Sequence, residues 1–392
     1  MAFTGSFDGR LVDAEIGIGG VSFNDMSVKE IILGESLTTP GLQTAVTLQS
    51  FIYTKISKDL NQYKDQPITI NMKTKDGSDT MSVNQQVYRI DNRHFHTVNI
   101  GQTEEFTVHA CDQSLLNDAQ SLVSKSWKCT TPDKIVDYVL SSCAGVKNPV
   151  IDPANPARDY IADNIHPFQV VSQQCNVALD GQDPSFLHYM TYENGGTHYF
   201  RSLNYLRNQP DPPPSRIFYH SEGNADLANP NRAIMFSFPC DFDYLSDLLN
   251  GVDKNGNSIN TLTTWNPVSF SINLLGGNAG GCGIGKGNHK TSITNKGTAQ
   301  QQDGCEIDVE EWLLLRQARM GLLEKDKTAL RITIPWAPTL HVGNVIGLEW
   351  TNKYNNKPVY GAGNYIVAAL THNIQFGGDR KSTRLNSSHT DI

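Results

Sequence analysis

Alternating apolar and polar positions dominate the first 112 residues. The segments "VDAEIGIG" (12–19), "SVKEIIL" (27–33), "TAVTLQSFI" (44–52), "PITINMKT" (67–74), "QQVYRID" (85–91) and "EEFTVHAC" (104–111) are β-branched or repeat with a period of two, which predicts strands. Pro40-Gly41, Asp76-Gly77 and Gly101 supply turn chemistry between them. Short strands at near-regular spacing predict a barrel or sandwich.

The period then changes. Thr131 fits an N-cap, Pro132 the first helical position and Gly145 a C-terminal cap, and Ile135, Val136, Val139, Leu140 and Cys143 form one apolar stripe between them. A second helix is expected from Pro167, with Phe168, Val171, Cys175, Ala178 and Leu179 inward, followed by a hairpin over 186–203 closing at Asn194-Gly195. The Pro-rich "NQPDPPPS" (208–215) reads as a stiff connector.

Strand-like segments resume at 233–238 and 268–275, and 276–304 is expected to be a mobile loop rich in Gly, Asn, Gln and Thr. A helix is expected over 309–325, with Trp312, Leu313, Leu315, Met320 and Leu323 available for burial. Strands at 329–336, 344–350 and 364–376 come last. The reading is a first β-barrel domain (1–112), an α+β insert (113–207), the first part of a second barrel (208–275), a flexible loop (276–304), and a helix with strands completing that barrel (305–378).

Composition narrows the class. Of 392 residues 38% are hydrophobic and 18% charged, which fits a folded, β-rich, water-soluble chain. The formal charge of −8 argues against a sequence-independent grip on nucleic-acid phosphates. The start "MAFTGSFDGRLVDAEIG" lacks the basic and apolar regions of a signal peptide, and "WLLL" (312–315) and "YIVAAL" (365–370) are too short to span a bilayer. Seven cysteines without a CxxC pair argue against a disulfide framework or zinc site, and for synthesis in a reducing cytoplasm.

Candidate chemistry is sparse. Gly280 to Lys286 has the spacing of a phosphate-cradling loop, but Gly287 stands where a Ser or Thr is needed and no helix pattern follows, so it reads as a flexible loop. His94 and His96 share a strand face, as do His109 and Cys111, without a third ligand at a metal-site spacing. Cys129 with Cys143, and Cys282 with Cys305, bracket a helix and a loop and read as incidental thiols. Asp241, Asp243 and Asp247 fit the first turn of a short helix. No catalytic, cofactor-binding or metal residues are assigned, and the expectation is a protein that is not an enzyme and carries no cofactor.

The terminal "DRKSTRLNSSH" (379–389) has no apolar period and is a basic, Ser-rich cluster in an acidic chain. It resembles the one-frame translation of a widely used sequencing adapter. On that resemblance 379–392 is a non-native tail, to be set aside in fold reasoning, and the natural protein is cut near Gly378.

The order of elements is itself informative. "RQARMGLLEKDKTALRITIPWAPTLHVGNVIGLEW" (316–350) presents Pro338, Leu340, Gly343 and Val345, and "GAGNYIVAALTHNI" (361–374) presents Gly363, Tyr365, Val367 and His372. Together with "ILGESLTTPGLQTAVTLQS" (32–50) and "NIHPFQVVSQQCNVALDGQDPSFLHYMTY" (164–192), this resembles the baseplate hub proteins of contractile-tailed, T-even-like phages. Relatives are phage late control protein D and the amino-terminal part of VgrG.

The resemblance implies a mainly β fold with two barrels related by pseudo-symmetry and an α+β domain. It also implies a homotrimer whose barrels alternate in a pseudo-sixfold ring, joining tail tube to cell-puncturing spike. Implied partners are the spike or tail lysozyme protein, tube or tube-initiator proteins and baseplate wedge proteins, with DNA passing without specific binding and no membrane insertion. The location is the virion baseplate, assembled in the host cytoplasm. Alternatives are the hub of another contractile injection system, such as a secretion spike or tailocin, and a secreted or tail-associated glycan-binding or glycan-cleaving β-rich protein.

Overall fold

The computed structural model describes residues 12–23, 27–51, 63–74, 77–98, 101–181, 183–209, 216–218, 235–240, 245, 261–266, 271–275, 291–295, 329–350, 357–359, 361–376 and 381–389. The chain is mainly β with an α+β insert. The first unit comprises β1 (Val12–Ile18), β2 (Val21–Phe23), β3 (Val28–Ser36), β4 (Gln43–Phe51), β5 (Pro67–Thr74), β6 (Thr80–Val98) and β7 (Gly101–Cys111), hydrogen-bonded in the order β3-β4-β7-β6-β5-β1-β2. The period of two is realised directly: Val12, Ala14, Ile16 and Ile18 of β1 and Ile68, Ile70 and Met72 of β5 are buried, while alternate residues face outward. Ile18 pairs with Val21, leaving Gly19 and Gly20 as a two-residue turn, and both have positive φ (54° and 84°), as a hairpin of this twist requires.

The insert follows. Its elements are α1 (Gln113–Gln120), β8 (Val123–Thr130), α2 (Pro132–Tyr138), β9 (Val150–Ile151), β10 (Arg158–Ile165), α3 (Pro167–Cys175), β11 (Phe186–Thr191), β12 (Thr197–Ser202) and α4 (Leu203–Arg207). Thr131 stands at the N-cap position of α2, though its hydroxyl makes no capping hydrogen bond, with Pro132 at the first helical position, and the helix runs on as a π-turn over Val139–Cys143 before Gly145 takes positive φ. Ile135, Val136, Val139 and Leu140 are fully buried, as the stripe predicts, against Phe168, Val170 and Val171 of α3. The hairpin β11–β12 turns through five residues, Tyr192 to Gly196, rather than through Asn194-Gly195 alone, because the last pair in register is Thr191 with Thr197.

The later strands are β13 (Arg216–Phe218), β14 (Met235–Cys240), β15 (Thr261–Asn266), β16 (Ser271–Leu275), β17 (Thr291–Asn295), β18 (Ala329–Ile334), β19 (Val345–Glu349), β20 (Gly363–Gln375) and β21 (Lys381–His389). β17 lies within the stretch expected as a loop, where it pairs in parallel with β15. The helix expected over 309–325 lies outside the described residues. The two β units are not separate sheets. β20 pairs antiparallel with β3 from Ala369↔Ser36 to Gln375↔Glu30, fusing them into a sheet of 13 described strands. This covers the edge that β3 would otherwise expose.

Packing crosses the same boundary. Met190 and Tyr192 of the insert and Trp336 and Ile374 of the second β unit complete the first core, and Tyr189, Tyr199, Leu203 and Leu206 of the insert join the second. Gly343, which the resemblance places in a turn, has φ of 84°, and a Cβ there would lie 3.0 Å from the Tyr189 hydroxyl. Its N–H donates to the Val367 carbonyl at 2.8 Å. Gly343→Ala therefore combines left-handed strain with a clash, and it is expected to cost about 1–3 kcal/mol in urea unfolding. A change below about 0.5 kcal/mol, the range of an ordinary surface substitution, would contradict this account.

Candidate functional site: a buried polar junction

The sequence candidates do not assemble. His94 is exposed and stands opposite Glu105, and His96 stands opposite Thr103. His109 Nε2 lies 2.9 Å from Asp91 Oδ1; this bond, with help from Arg89, holds the Asp91 carboxyl below the usual carboxylate range. Cys111 is buried, and burial together with the charges of Asp112 and Asp65 pushes its thiol up to about 12, which leaves it unreactive. Among the described residues no group of three or more His, Cys, Asp or Glu is placed to hold a metal ion.

One cysteine expectation is corrected. Cys129 is disulfide-bonded, while Cys143, the neighbour considered for it, is in no disulfide. Reading only the cysteines that bracket the helix could not find a partner outside that bracket. The Gly280–Lys286, Cys282/Cys305 and Asp241/Asp243/Asp247 candidates lie outside the described side chains.

What the structure brings together instead is a set of buried polar side chains where the three units meet. Glu35 occupies an inward position of β3, in line with Ile31 and Leu33, and is 3% exposed. Its Oε1 accepts from the Tyr192 N–H at 2.7 Å and lies 2.9 Å from His341 Nδ1; its Oε2 accepts from the Val342 N–H at 2.9 Å. One carboxylate of the first β unit thus receives donors from the insert and from the second β unit. A buried carboxylate needs such partners, because stripping its water without replacement costs several kcal/mol.

The surrounding groups reinforce the node. Burial alone would push the His341 imidazole down, but the hydrogen bond and charge of Glu35, with the charge of Glu193, outweigh it and raise its pKa. The Tyr192 hydroxyl donates to the Gln43 carbonyl at 3.0 Å and lies 3.1 Å from Thr44 Oγ1, so the insert's turn is tied to β4 as well. Glu193 accepts from the Tyr199 hydroxyl. His372, fully buried on β20, is pushed down to about 3 by burial and by the charge of His341.

A second cluster joins the end of β7 to the insert. Asp112 caps α1, its Oδ1 accepting from the Leu115 N–H at 3.2 Å, and its Oδ2 accepts from the Leu42 N–H at 3.2 Å. Ser114 donates to Asp112 and lies 2.8 Å from His198 Nε2, and His198 Nδ1 lies 3.2 Å from His188 Nε2. These are the residue types of a hydrolase triad in the wrong order. The serine sits between acid and base and gives its proton toward the acid, so no base is oriented to activate it. Burial holds both imidazoles neutral, His188 well below its usual value and His198 at about 4. The cluster is a structural relay.

No family model matches this chain, and no curated protein matches it. Solved structures do. A tail protein from Neisseria meningitidis MC58 superposes with a TM-score of 0.58 at 10% identity, covering 96% of each chain. The 43 kDa tail protein of prophage MuSo2 from Shewanella oneidensis gives 0.55 at 10% identity over 96% of this chain and 97% of that one. The Escherichia coli c3393 protein is described as a type VI secretion component structurally similar to T4 tail proteins gp27 and gp5. It gives 0.52 at 9% identity over 96% of this chain and 77% of its own. The chain therefore shares this fold from end to end.

Two outcomes follow from the junction. Glu35→Ala leaves His341 and two N–H groups facing a hole and is expected to cost about 3–5 kcal/mol in urea unfolding at pH 7, with Glu35→Gln costing less. Equal stability of Glu35→Ala and parent would remove the node from its central place.

The histidines set the acid response. The depressed pKa values of His188, His198 and His372 mean that the unfolded chain binds more protons below about pH 6.5, so their contribution falls as pH drops from there toward 4. His341 has the opposite sign: its contribution is present below about pH 6.5 and is lost as pH rises through its raised folded value. Three against one gives net acid lability, with a slope of roughly 1.4 kcal/mol per pH unit for each fully discriminating histidine. His372→Leu should flatten the slope between pH 6.5 and 5, and an unchanged slope would refute the assignment.

Proposed function

We propose that this chain is the hub subunit of a contractile phage tail baseplate, a structural protein and not an enzyme. The observation that supports the reading is the fold likeness to two tail proteins, one of them from a prophage, over 96% of this chain in each case. In this reading three copies form a pseudo-sixfold ring, with the two β units of each copy as the repeating blocks related by pseudo-symmetry. Residues 1–112 and 208–378 supply those blocks, 113–207 buttresses them, and 379–392 is foreign to the protein. The ring joins the tail tube to the spike or tail lysozyme protein, contacts the wedge proteins and leaves a channel for DNA. It belongs to the virion and assembles in the host cytoplasm.

Two physical features fit that role. A ring that transmits force needs subunits whose parts do not shear, and buried charged hydrogen bonds across unit boundaries with a shared sheet provide this. A chain of net charge −8 lets DNA pass without a phosphate grip. The secretion-system description of c3393 favours a second reading, the hub of another contractile injection system. Among the described residues no helix is long and apolar enough to cross a membrane, in keeping with either reading.

The test is the absolute mass in solution across a dilution series, measured alone and with a trimeric cell-puncturing spike protein added. A three-subunit mass in either condition is the expected result. A monomer in both would overturn the hub reading and move the glycan-active alternative forward.

A further inference from the structure

Exposed apolar side chains standing singly, as Leu122 and Ile161 of the insert do, are ordinary. Tyr205 of α4 is 41% exposed but is the open end of a stack. Arg201 and Tyr199 lie two apart on β12 and so share a face. The Arg201 guanidinium carbon lies 4.3 Å from the Tyr205 ring centroid and 4.8 Å from that of Tyr199, and Tyr199 stacks in turn on Tyr189 at 5.1 Å and 13°. Asp152 Oδ1, 3.4 Å from Arg201 Nε, pairs with the guanidinium. One face of the Tyr205 ring is thus backed by a cation that is already neutralised, and the rest of the ring meets solvent. Its backbone is pinned as well: the Tyr205 N–H donates to Ser202 Oγ at 3.0 Å, and Ser202 Oγ donates to Asp180 Oδ2 at 2.7 Å.

The same bonds build a polar rim beside the ring. Asn204 Nδ2 donates to Asp180 Oδ2 at 3.3 Å, and Asn208 Nδ2 donates to the Asn204 carbonyl at 2.8 Å. They leave Asp180 Oδ1 and Asn208 Oδ1 available as acceptors, and Asn204 and Asn208 are exposed. A ligand that fits must lay a flat C–H surface on the ring and bring hydrogen-bond donors to the rim. A neutral pyranose does both, with C–H groups on its face and hydroxyls around its edge. A phosphate or carboxylate there would meet the Asp180 carboxylate and be repelled. A ring already held from behind has little freedom to lose on binding, and tyrosine supplies wide contact with only two torsions to fix.

We propose that Tyr205, with Asp180, Asn204 and Asn208 beside it, is a binding subsite for a neutral pyranose unit of a glycan. The sugar rests its C–H face on the open side of the Tyr205 ring and donates hydroxyl protons to Asp180 Oδ1 and Asn208 Oδ1. The site rests on side chains of the insert and holds whether or not the chain is a baseplate hub.

The test titrates the full chain with two neutral probes, the tetramers of glucose and of N-acetylglucosamine, read by saturation-transfer NMR. At least one is expected to bind, with transfer concentrated on the sugar C–H groups. Tyr205→Ala is expected to weaken that binding about tenfold, and Tyr205→Trp to retain it. Asn208→Ala, which leaves the ring in place, is expected to weaken it about threefold. Tyr138→Ala, at another exposed tyrosine of the insert (38%), should leave it unchanged. The galacturonate tetramer, with a carboxylate on each ring, is expected to bind about tenfold more weakly than the better neutral probe.

Failure of both neutral tetramers to bind at millimolar concentration would overturn the proposal. So would binding that survives Tyr205→Ala, or that falls equally in Tyr138→Ala, since either places the sugar elsewhere. A change in solution mass on Tyr205→Ala, with no sugar bound by the parent, would overturn it in favour of a protein contact at the same ring.

Discussion

Glu35 lies on the face of β3 where the alternation calls for an apolar side chain, and it is enclosed by Tyr192, His341 and Val342. In that position the carboxylate is unfavourable unless all three donors are present. Two are backbone N–H groups, whose positions follow the turns that carry them, and the third is an imidazole whose protonation the carboxylate itself supports. The requirement is mutual, because the turns at 192 and 342 bring N–H groups into the interior that also need acceptors. A residue that would destabilise an isolated sheet thereby fixes how the three units meet.

The shared sheet explains why this arrangement is rigid. β3 and β20 exchange a continuous ladder across the boundary, and the cores on either side take residues from the insert. Apolar contacts alone would tolerate small rotations between the units, since burial has no direction. The directional bonds of Glu35 at one end of β3 and of Asp112 at the end of β7 remove that freedom. Geometry is what these polar residues supply, and their chemistry is suppressed by the burial that makes them useful: neutral imidazoles, and a serine giving its proton toward a carboxylate.

Much of the fold was legible in sequence because it rests on period. The strands of the first unit, the stripe Ile135–Leu140 and the helix from Pro167 all follow from one-dimensional spacing. The junction was not legible, for a physical reason. Glu35, Tyr192 and His341 are separated by more than a hundred residues each, and their importance comes from burial, which alternation alone signals faintly. The one available sign was an acidic residue in phase with Ile31 and Leu33. Gln174, fully buried on α3, was missed in the same way, as was Val170. The five-residue turn at 192–196 was read as a tight Asn-Gly hairpin because the local turn chemistry is satisfied by either length.

A TM-score of 0.58 at 10% identity is the expected outcome of such an architecture. Cores built on a period of two accept wholesale exchange among branched apolar residues as long as volume and phase are kept, so pairwise identity decays far faster than topology. What limits the drift is the small set of positions where backbone N–H groups turn inward and must meet an acceptor. The carboxylate at 35 can be replaced only by another arrangement that satisfies the same two N–H groups, and the aspartate at 112 only by one that caps α1 while also receiving the Leu42 N–H. The apolar pattern specifies the class of fold, and a few buried acceptors specify how its parts are locked.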